Sequence, residues 1–208
     1  MSSYWQIVLA SRPEGRPRLN NFRIEKRSIL ALPDGNILVR TLYLSLDPYM
    51  RGRMSDARSY ASAVAIGAPM EGEAIAEIVE SRHPDYRPGE LIRAMIGWRT
   101  LAAIDPATAR RINVGRAPIT TALGVLGMPG FTGYSGLKVI GQPKPGETVA
   151  VAAATGPVGS LVGQLAKRAG ARTVGIAGGP EKCRSLTTEF GFDRAVDHKS
   201  KSFTKALS

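Results

Sequence analysis

Thr148-Val149-Ala150-Val151-Ala152-Ala153 is an unbroken run of mostly small apolar residues, and Ala154-Thr155-Gly156-Pro157-Val158-Gly159 follows it directly. A run this short, ending in glycines, reads as a strand buried on both faces. Beyond it Val158, Leu161, Val162, Leu165, Ala166 and Ala169 recur with the spacing of one helical face, until Gly170 closes the pattern. The stretch predicts a strand, a glycine turn and an amphipathic helix. A second such unit follows, with a strand at 173–177, a helix at 180–190 stopped by Gly191, and a third strand at 194–197. The order β-α-β-α-β is the mononucleotide-binding half of a doubly wound parallel sheet.

Upstream of this unit, 121–126 and 134–140 are helical candidates, and Gly141-Gln142-Pro143-Lys144-Pro145-Gly146-Glu147 is a rigid turn that stops the second one. From Tyr4 to about Arg116 the pattern changes to short β segments, at 7–10, 22–29, 37–46, 74–80 and 91–97. Pro33-Asp34-Gly35-Asn36 and Arg87-Pro88-Gly89-Glu90 supply turn chemistry between them. Imperfect alternation over 36–44 suits strands buried on both sides, as in a compact barrel. At the other end the chain reaches Ser208 where 202–207 could open another helix. A full dinucleotide fold needs two halves, so only the first is expected here.

The 208 residues are 43% hydrophobic and 22% charged, close to globular averages, with no apolar run near the roughly 20 residues that cross a bilayer. One cysteine, Cys183, and two histidines exclude an internal disulfide and a zinc-finger cluster. The apolar run at 5–10 is too short for a signal-peptide core, which makes the cytoplasm the expected location. The net charge of +11 is spread over both ends: 10 basic and 5 acidic groups in residues 1–60, 7 and 7 in 61–120, and 11 and 5 in 121–208. Without a basic tail or stripe, no dedicated nucleic-acid role is expected.

The turn at 154–159 has the six-residue spacing of the dinucleotide fingerprint, with Ala154 in place of the first glycine. Gly156 lets the backbone approach a pyrophosphate at the positive helix N-terminus, Gly159 allows close helix-to-strand packing, and Pro157 suits the first helical position. By itself such a pattern is also an ordinary tight turn between strand and helix. The strand before it, the helix after it and the repeated unit favour the cofactor. NAD-binding folds place an acid about 20 residues beyond these glycines, at the end of the second strand, to pair with the ribose 2′-OH. Here Gly178-Gly179-Pro180-Glu181-Lys182 stands there instead, and Lys182 in the first helical turn can pair with a 2′-phosphate, which favours NADPH. Lys182 and Arg184 also fit a solvated helix face. His198 could lie near adenine or ribose, or simply in a surface loop. Cys183 reads as a small, partly buried residue more readily than as a modification site.

In the first half, Ser45-Leu46-Asp47-Pro48-Tyr49-Met50-Arg51-Gly52-Arg53-Met54 gathers polar, aromatic and basic groups after an apolar strand. Tyr49, Tyr60 and Arg51 could face a pocket, while Met50 and Met54 suit packing.

Taken together, Leu44 to Met54, Gly124-Val125-Leu126-Gly127-Met128-Pro129-Gly130-Phe131-Thr132, Val151 to Gly159, Gly178 to Arg184 and Gly191-Phe192-Asp193 carry a family likeness. The chain resembles the medium-chain dehydrogenase/reductase superfamily, in its zinc-free enone-reducing branch with the leukotriene/prostaglandin reductases, over residues 4 to about 200. The resemblance implies a mixed fold: a GroES-like β-barrel domain over 1–120, then an incomplete α/β Rossmann domain, a doubly wound parallel sheet, over 121–208, with the active site in the cleft between them. Where the zinc alcohol dehydrogenases have a histidine before Glu71, this chain has Met70, so no metal is expected. Met128 and Thr132 are implied on the nicotinamide side, Gly156 and Val158 at the pyrophosphate, and Lys182 at the 2′-phosphate. Tyr60 and then Tyr49 are the candidate donors to the substrate oxygen. The implied reaction is NADPH-dependent reduction of the C=C bond of α,β-unsaturated ketones or aldehydes, in a protein whose full-length relatives commonly dimerise. The alternative is a catalytically inactive nucleotide-binding or interaction module.

Overall fold

The strands expected between 148 and 197 form a parallel sheet in a computed structural model that describes residues 2–29, 31–113, 115 and 117–207. The chain divides into two units, Met1–Leu123 and Gly124–Ser208. Among the described residues no helix is long and apolar enough to cross a membrane.

The first unit is antiparallel throughout. Strand β1 (Ser2–Leu9) pairs with β2 (Phe22–Ile29), Leu9 opposite Phe22. A second sheet holds β3 (Ile37–Leu44), β4 (Ala74–Ser81), β5 (Leu91–Ala94), β6 (Leu101–Ile104) and β7 (Arg110–Arg111), in the order β6-β3-β4-β5-β7. Ile37, Val39, Ala74, Ala76, Ile78 and Ile92 are wholly buried and form its core. The compact barrel expected from the sequence is not closed among the described residues. Strand β1 forms no ladder with the larger sheet among the described residues and meets the segments beside it through isolated bridges, Gln6 to Arg99 and Val8 to Pro69, and a Gly67 N–H to Leu9 O bond. Ile7 changes partner within β1, its carbonyl accepting from Met70 N–H and its N–H donating to Trp98 O, and tight turns after Ala94 (Ile96 N–H to Ala94 O, Arg99 N–H to Gly97 O) end β5 short of the expected Gly97. Gly97 is required in that turn, because it has φ +76 and a β-carbon on it would stand 2.6 Å from Met70 O.

Beneath these strands, helix α1 (Tyr49–Arg53) buries Met50, which packs with Leu9, Met54, Val64 and Met70 in a separate cluster. Arg12 Nη1 donates to Met54 O and Val64 O, at 3.1 and 2.7 Å, and pins the segment after the helix.

In the second unit the expected helix at 121–126 is absent. A 3-10 turn at Ile119–Leu123 ends the first unit, and helix α2 starts later, at Met128–Ser135. Pro129 suits its first turn. A β-carbon on Gly130 would overlap Val125 O, which fixes glycine there. The segment expected to be helical over 134–140 continues as a π-helix, Gly136–Gly141, terminated by Gln142 at φ +42. Then come β8 (Thr148–Val151), α3 (Pro157–Arg168), β9 (Arg172–Ala177), α4 (Pro180–Thr188), β10 (Arg194–Asp197) and α5 (Phe203–Leu207). The sheet order is β10-β9-β8, all parallel. Val151, Ala154, Ala177, Leu186 and Phe192 form its core. Gly163 of α3 lies against the Phe192 ring so closely that any side chain would displace it.

Candidate functional site

Between β8 and α3 the backbone makes a turn that is tied down from three sides. Ala154, the residue at the fingerprint's first glycine position, is wholly buried, and its N–H donates to Ile176 O of β9 at 3.1 Å. Its methyl group fits there because β9 carries Gly175, whose β-carbon would approach it at 3.2 Å. Ala153 adopts φ +48, which turns its carbonyl to accept the Gly156 N–H at 2.8 Å. A β-carbon on Gly159 would stand 2.7 Å from that carbonyl oxygen, so Gly159 is the residue that lets α3 start this close to the strand. Pro157 occupies the first helical position with no donor to satisfy, and the N–H groups of Val158 and Gly159 have no backbone acceptor outside the helix among the described residues. Exposed helix N-terminal donors with a partial positive charge suit a phosphate.

The end of β9 lies one strand away. Gly178 and Gly179 follow Ala177, and Gly179 has φ +99, a backbone conformation that side chains strain to adopt. Gly178 is covered from outside: a β-carbon there would lie 2.8 Å from His198 Nε2 and 3.0 Å from Lys199 Cε. The histidine is therefore at this corner. Lys182 is exposed on α4. Cys183, next to it, is half-buried among Val151, Ala177 and Leu186, and burial raises its thiol above the ordinary range.

Asp197 is not among the residues expected from the sequence, yet its carboxylate reaches this turn. Oδ1 accepts from Gly179 N–H at 2.8 Å and from Lys199 N–H at 2.9 Å. These two donors hold its carboxyl below the ordinary value. Its position as last residue of the third strand, level with the second glycine turn, was the available signal. Asp193 was missed too. Lys167 Nζ donates to its Oδ1 at 3.0 Å, and Thr173 donates to its Oδ2 from N–H and hydroxyl at 2.8 and 3.0 Å. Lys167 first, and then Thr173, bring that carboxyl down to about 2.

Met128 and Thr132 are brought together on α2. Thr132 Oγ1 donates to Met128 O at 2.8 Å, one turn apart, and Met128 is 43% exposed.

In the first unit Tyr49 is half-buried against the Met50 cluster, and Tyr60 is 87% exposed. Burial, and then the charges of Asp47 and Glu71, raise the Tyr49 phenol, so it remains a hydrogen-bond donor well above neutral pH. Arg51, expected in a pocket, directs Nε to Gly15 O at 3.0 Å and Nη2 to Pro13 O at 3.1 Å, and so braces a loop. The long reach of the guanidinium explains the difference, since the loop carbonyls lie within its range. Met70 is wholly buried in the apolar cluster, while Glu71 forms a two-pronged pair with Arg53, at 2.6 and 2.8 Å. Among the described residues no three histidine, cysteine or acidic groups gather closely enough to hold a metal ion.

This arrangement can hold a nucleotide phosphate at one unit and offer phenol donors at the other. Comparison with known proteins finds NADP(H)-dependent reductases. The chain is 50% identical over 201 residues to the NADPH-dependent curcumin reductase of Escherichia coli, covering 97% of this chain and 58% of that protein. It is 41% identical over 199 residues to the NADP-dependent 2-alkenal reductase of Nicotiana tabacum, covering 93% of this chain and again 58% of the relative. Among solved structures, CurA in complex with NADPH from Vibrio vulnificus superposes with a TM-score of 0.94 at 48% identity, covering 98% of this chain and 60% of that one. The chain thus spans about three fifths of the length of these relatives. A family model described as the N-terminal domain of oxidoreductase matches residues 5–112, just over half of the chain, and the chain belongs to that oxidoreductase family.

Proposed function

We propose that the chain serves an NADPH-dependent oxidoreductase that reduces the C=C bond of α,β-unsaturated ketones or aldehydes, of the curcumin and alkenal reductase type, without zinc. The observation that carries the reading is the end of β9, where two glycines and Lys182 stand in place of the acid that would repel a 2′-phosphate. The residues fit the cofactor: Gly159 has no room for a β-carbon, and open N–H groups begin α3. Gly156, Pro157, Val158 and Gly159 would hold the pyrophosphate, Gly178, Lys182 and His198 the adenosine side, and Met128 with Thr132 the nicotinamide side. NADPH, when bound, supplies the hydride. Tyr60 or Tyr49 donates a hydrogen bond to the substrate oxygen as negative charge develops on it, and the half-buried Tyr49 phenol, raised by burial, stays protonated for that task. Arg51 contributes through Nη1, since its other donors hold the loop. In the same reading the first unit is a GroES-like domain, the second is the first half of a Rossmann domain, and the enzyme is a cytoplasmic homodimer.

Calorimetric titration of the chain with NADPH and NADH, with enone-dependent NADPH oxidation followed in parallel, tests this. At least about tenfold preference for NADPH, lost in Lys182→Met, is expected from one charge-assisted phosphate contact. Equal affinity for the two cofactors would overturn it. A second reading, a nucleotide-binding module without turnover, is favoured by the exposure of Tyr60 and by Arg51, whose Nε and Nη2 are taken by loop carbonyls. Binding without oxidation of any enone would select it.

A further inference from the structure

The corner that would receive the adenosine has one carboxylate bonded into its backbone. Asp197 Oδ1 accepts two N–H groups, from Gly179 and Lys199. A carboxylate held in this way is stabilised as an anion by backbone dipoles, and its acceptor capacity toward a ribose hydroxyl is reduced. The same two bonds clamp the residue after His198 to the turn after β9. Lys199 is exposed, with its Cε 3.0 Å from the place of a Gly178 β-carbon, and glycine at 178 is what lets the lysine stem lie there. Neither Lys199 nor Lys182 belongs to an ion pair among the described residues. Glu181, also in the first turn of α4, is exposed. The turn at 178–179 is thus approached by an ammonium on the chain after β10 as well as by the one on α4.

We infer that Lys199 is a second cation for the 2′-phosphate of NADPH, and that Asp197 is the positioning residue that sets it there. The inference rests on the NADPH reading and adds a specificity determinant from a different strand. Asp197 acts through the loop: without its two hydrogen bonds the 197–199 turn loses its tie to Gly179, and the ammonium loses a fixed place.

Adenosine 2′,5′-bisphosphate and 5′-AMP separate these claims, because they carry the adenosine side alone and differ by the phosphate in question. Titration calorimetry on the 208-residue chain, with thermal unfolding recorded on each variant, is the measurement. Lys199→Met is expected to weaken the bisphosphate about tenfold and to leave AMP within about twofold, while Lys199→Arg retains the preference. Asp197→Ala is expected to lose a similar factor for the bisphosphate alone. Asp197→Asn keeps an acceptor oxygen for both N–H groups and rescues it. Unchanged bisphosphate affinity in Lys199→Met would overturn the role of Lys199 and leave Lys182 as the reader. Loss in Lys199→Met together with wild-type affinity in Asp197→Ala would overturn the positioning role. A parent chain that binds the two nucleotides equally would overturn the NADPH reading itself, and this inference with it.

Discussion

Replacing Gly159 by alanine puts a β-carbon 2.7 Å from Ala153 O, 2.8 Å from Ala154 Cα and 3.1 Å from Ala153 C. All three are backbone atoms, so no flexible side chain can give way. Ala154 is wholly buried with its N–H on Ile176 O, and Ala153 already sits at φ +48, so the turn has little freedom to retreat. Overpacking costs about 1–3 kcal/mol, and against backbone atoms that cannot yield the upper part of that range, about 2–3 kcal/mol, applies. The gain in helix propensity from glycine to alanine offsets up to about 1 kcal/mol of it. A net loss of about 1–2 kcal/mol remains, which for a unit of this size lowers Tm by roughly 4–16 °C. The comparison variant is Gly136→Ala, where glycine is in right-handed helical conformation with open space around its β-carbon position. That change should leave Tm equal or raise it. Thermal unfolding followed by far-ultraviolet circular dichroism reads both, and nucleotide titration reads the consequence at the turn. A Gly159→Ala chain as stable as the parent, with NADPH affinity intact, would refute the claim that strand and helix meet too closely here for a side chain.

Asp193 gives a pH dependence with a defined sign. Its native carboxyl lies at about 2 against an ordinary 3.8, so it contributes stability that is complete above pH 3.8 and is lost as the pH falls toward 2. Because the pair with Lys167 is partly exposed, the contribution after screening is about 1 kcal/mol, and Asp193→Asn should flatten this part of the stability profile in acid denaturation. An unchanged profile would count against the Lys167 and Thr173 bonds. Cys183, whose thiol is raised by burial and then by the charge of Asp197, should react with iodoacetamide at pH 8 at least about tenfold more slowly in the native chain than in urea. Equal rates would mean that the thiol is not sheltered.

Periodicity revealed the second unit well from 148 to 197, but not α2 before it. The strand, glycine turn and helix over 148–168, and the second such pair to Asp197, depend on local patterns: buried strands read as apolar runs, helices as a period of 3.6, and glycine as the only residue that fits a crowded turn. The proposed cofactor preference rests on the same kind of reading, because the residues that would decide it follow a strand end at fixed spacing. Less was legible in the first unit. Strands β6 and β7, Leu-Ala-Ala-Ile and Arg-Arg, have no alternation or β-branched run to announce them and exist because β3 and β5 offer edges. Whether the strands closed into a barrel depended on the partner change at Ile7 and the tight turns at 94–99, which break the contacts of β1 into isolated bridges. The sequence by itself determined which segments form strands and helices around the glycine turn, and which chemistry those glycines can admit. Only the tertiary structure decided that Asp197 braces Gly179, that Asp193 gathers Lys167 and Thr173, and that Arg51 braces a loop, because these contacts join residues 18 to 38 positions apart that no local period connects.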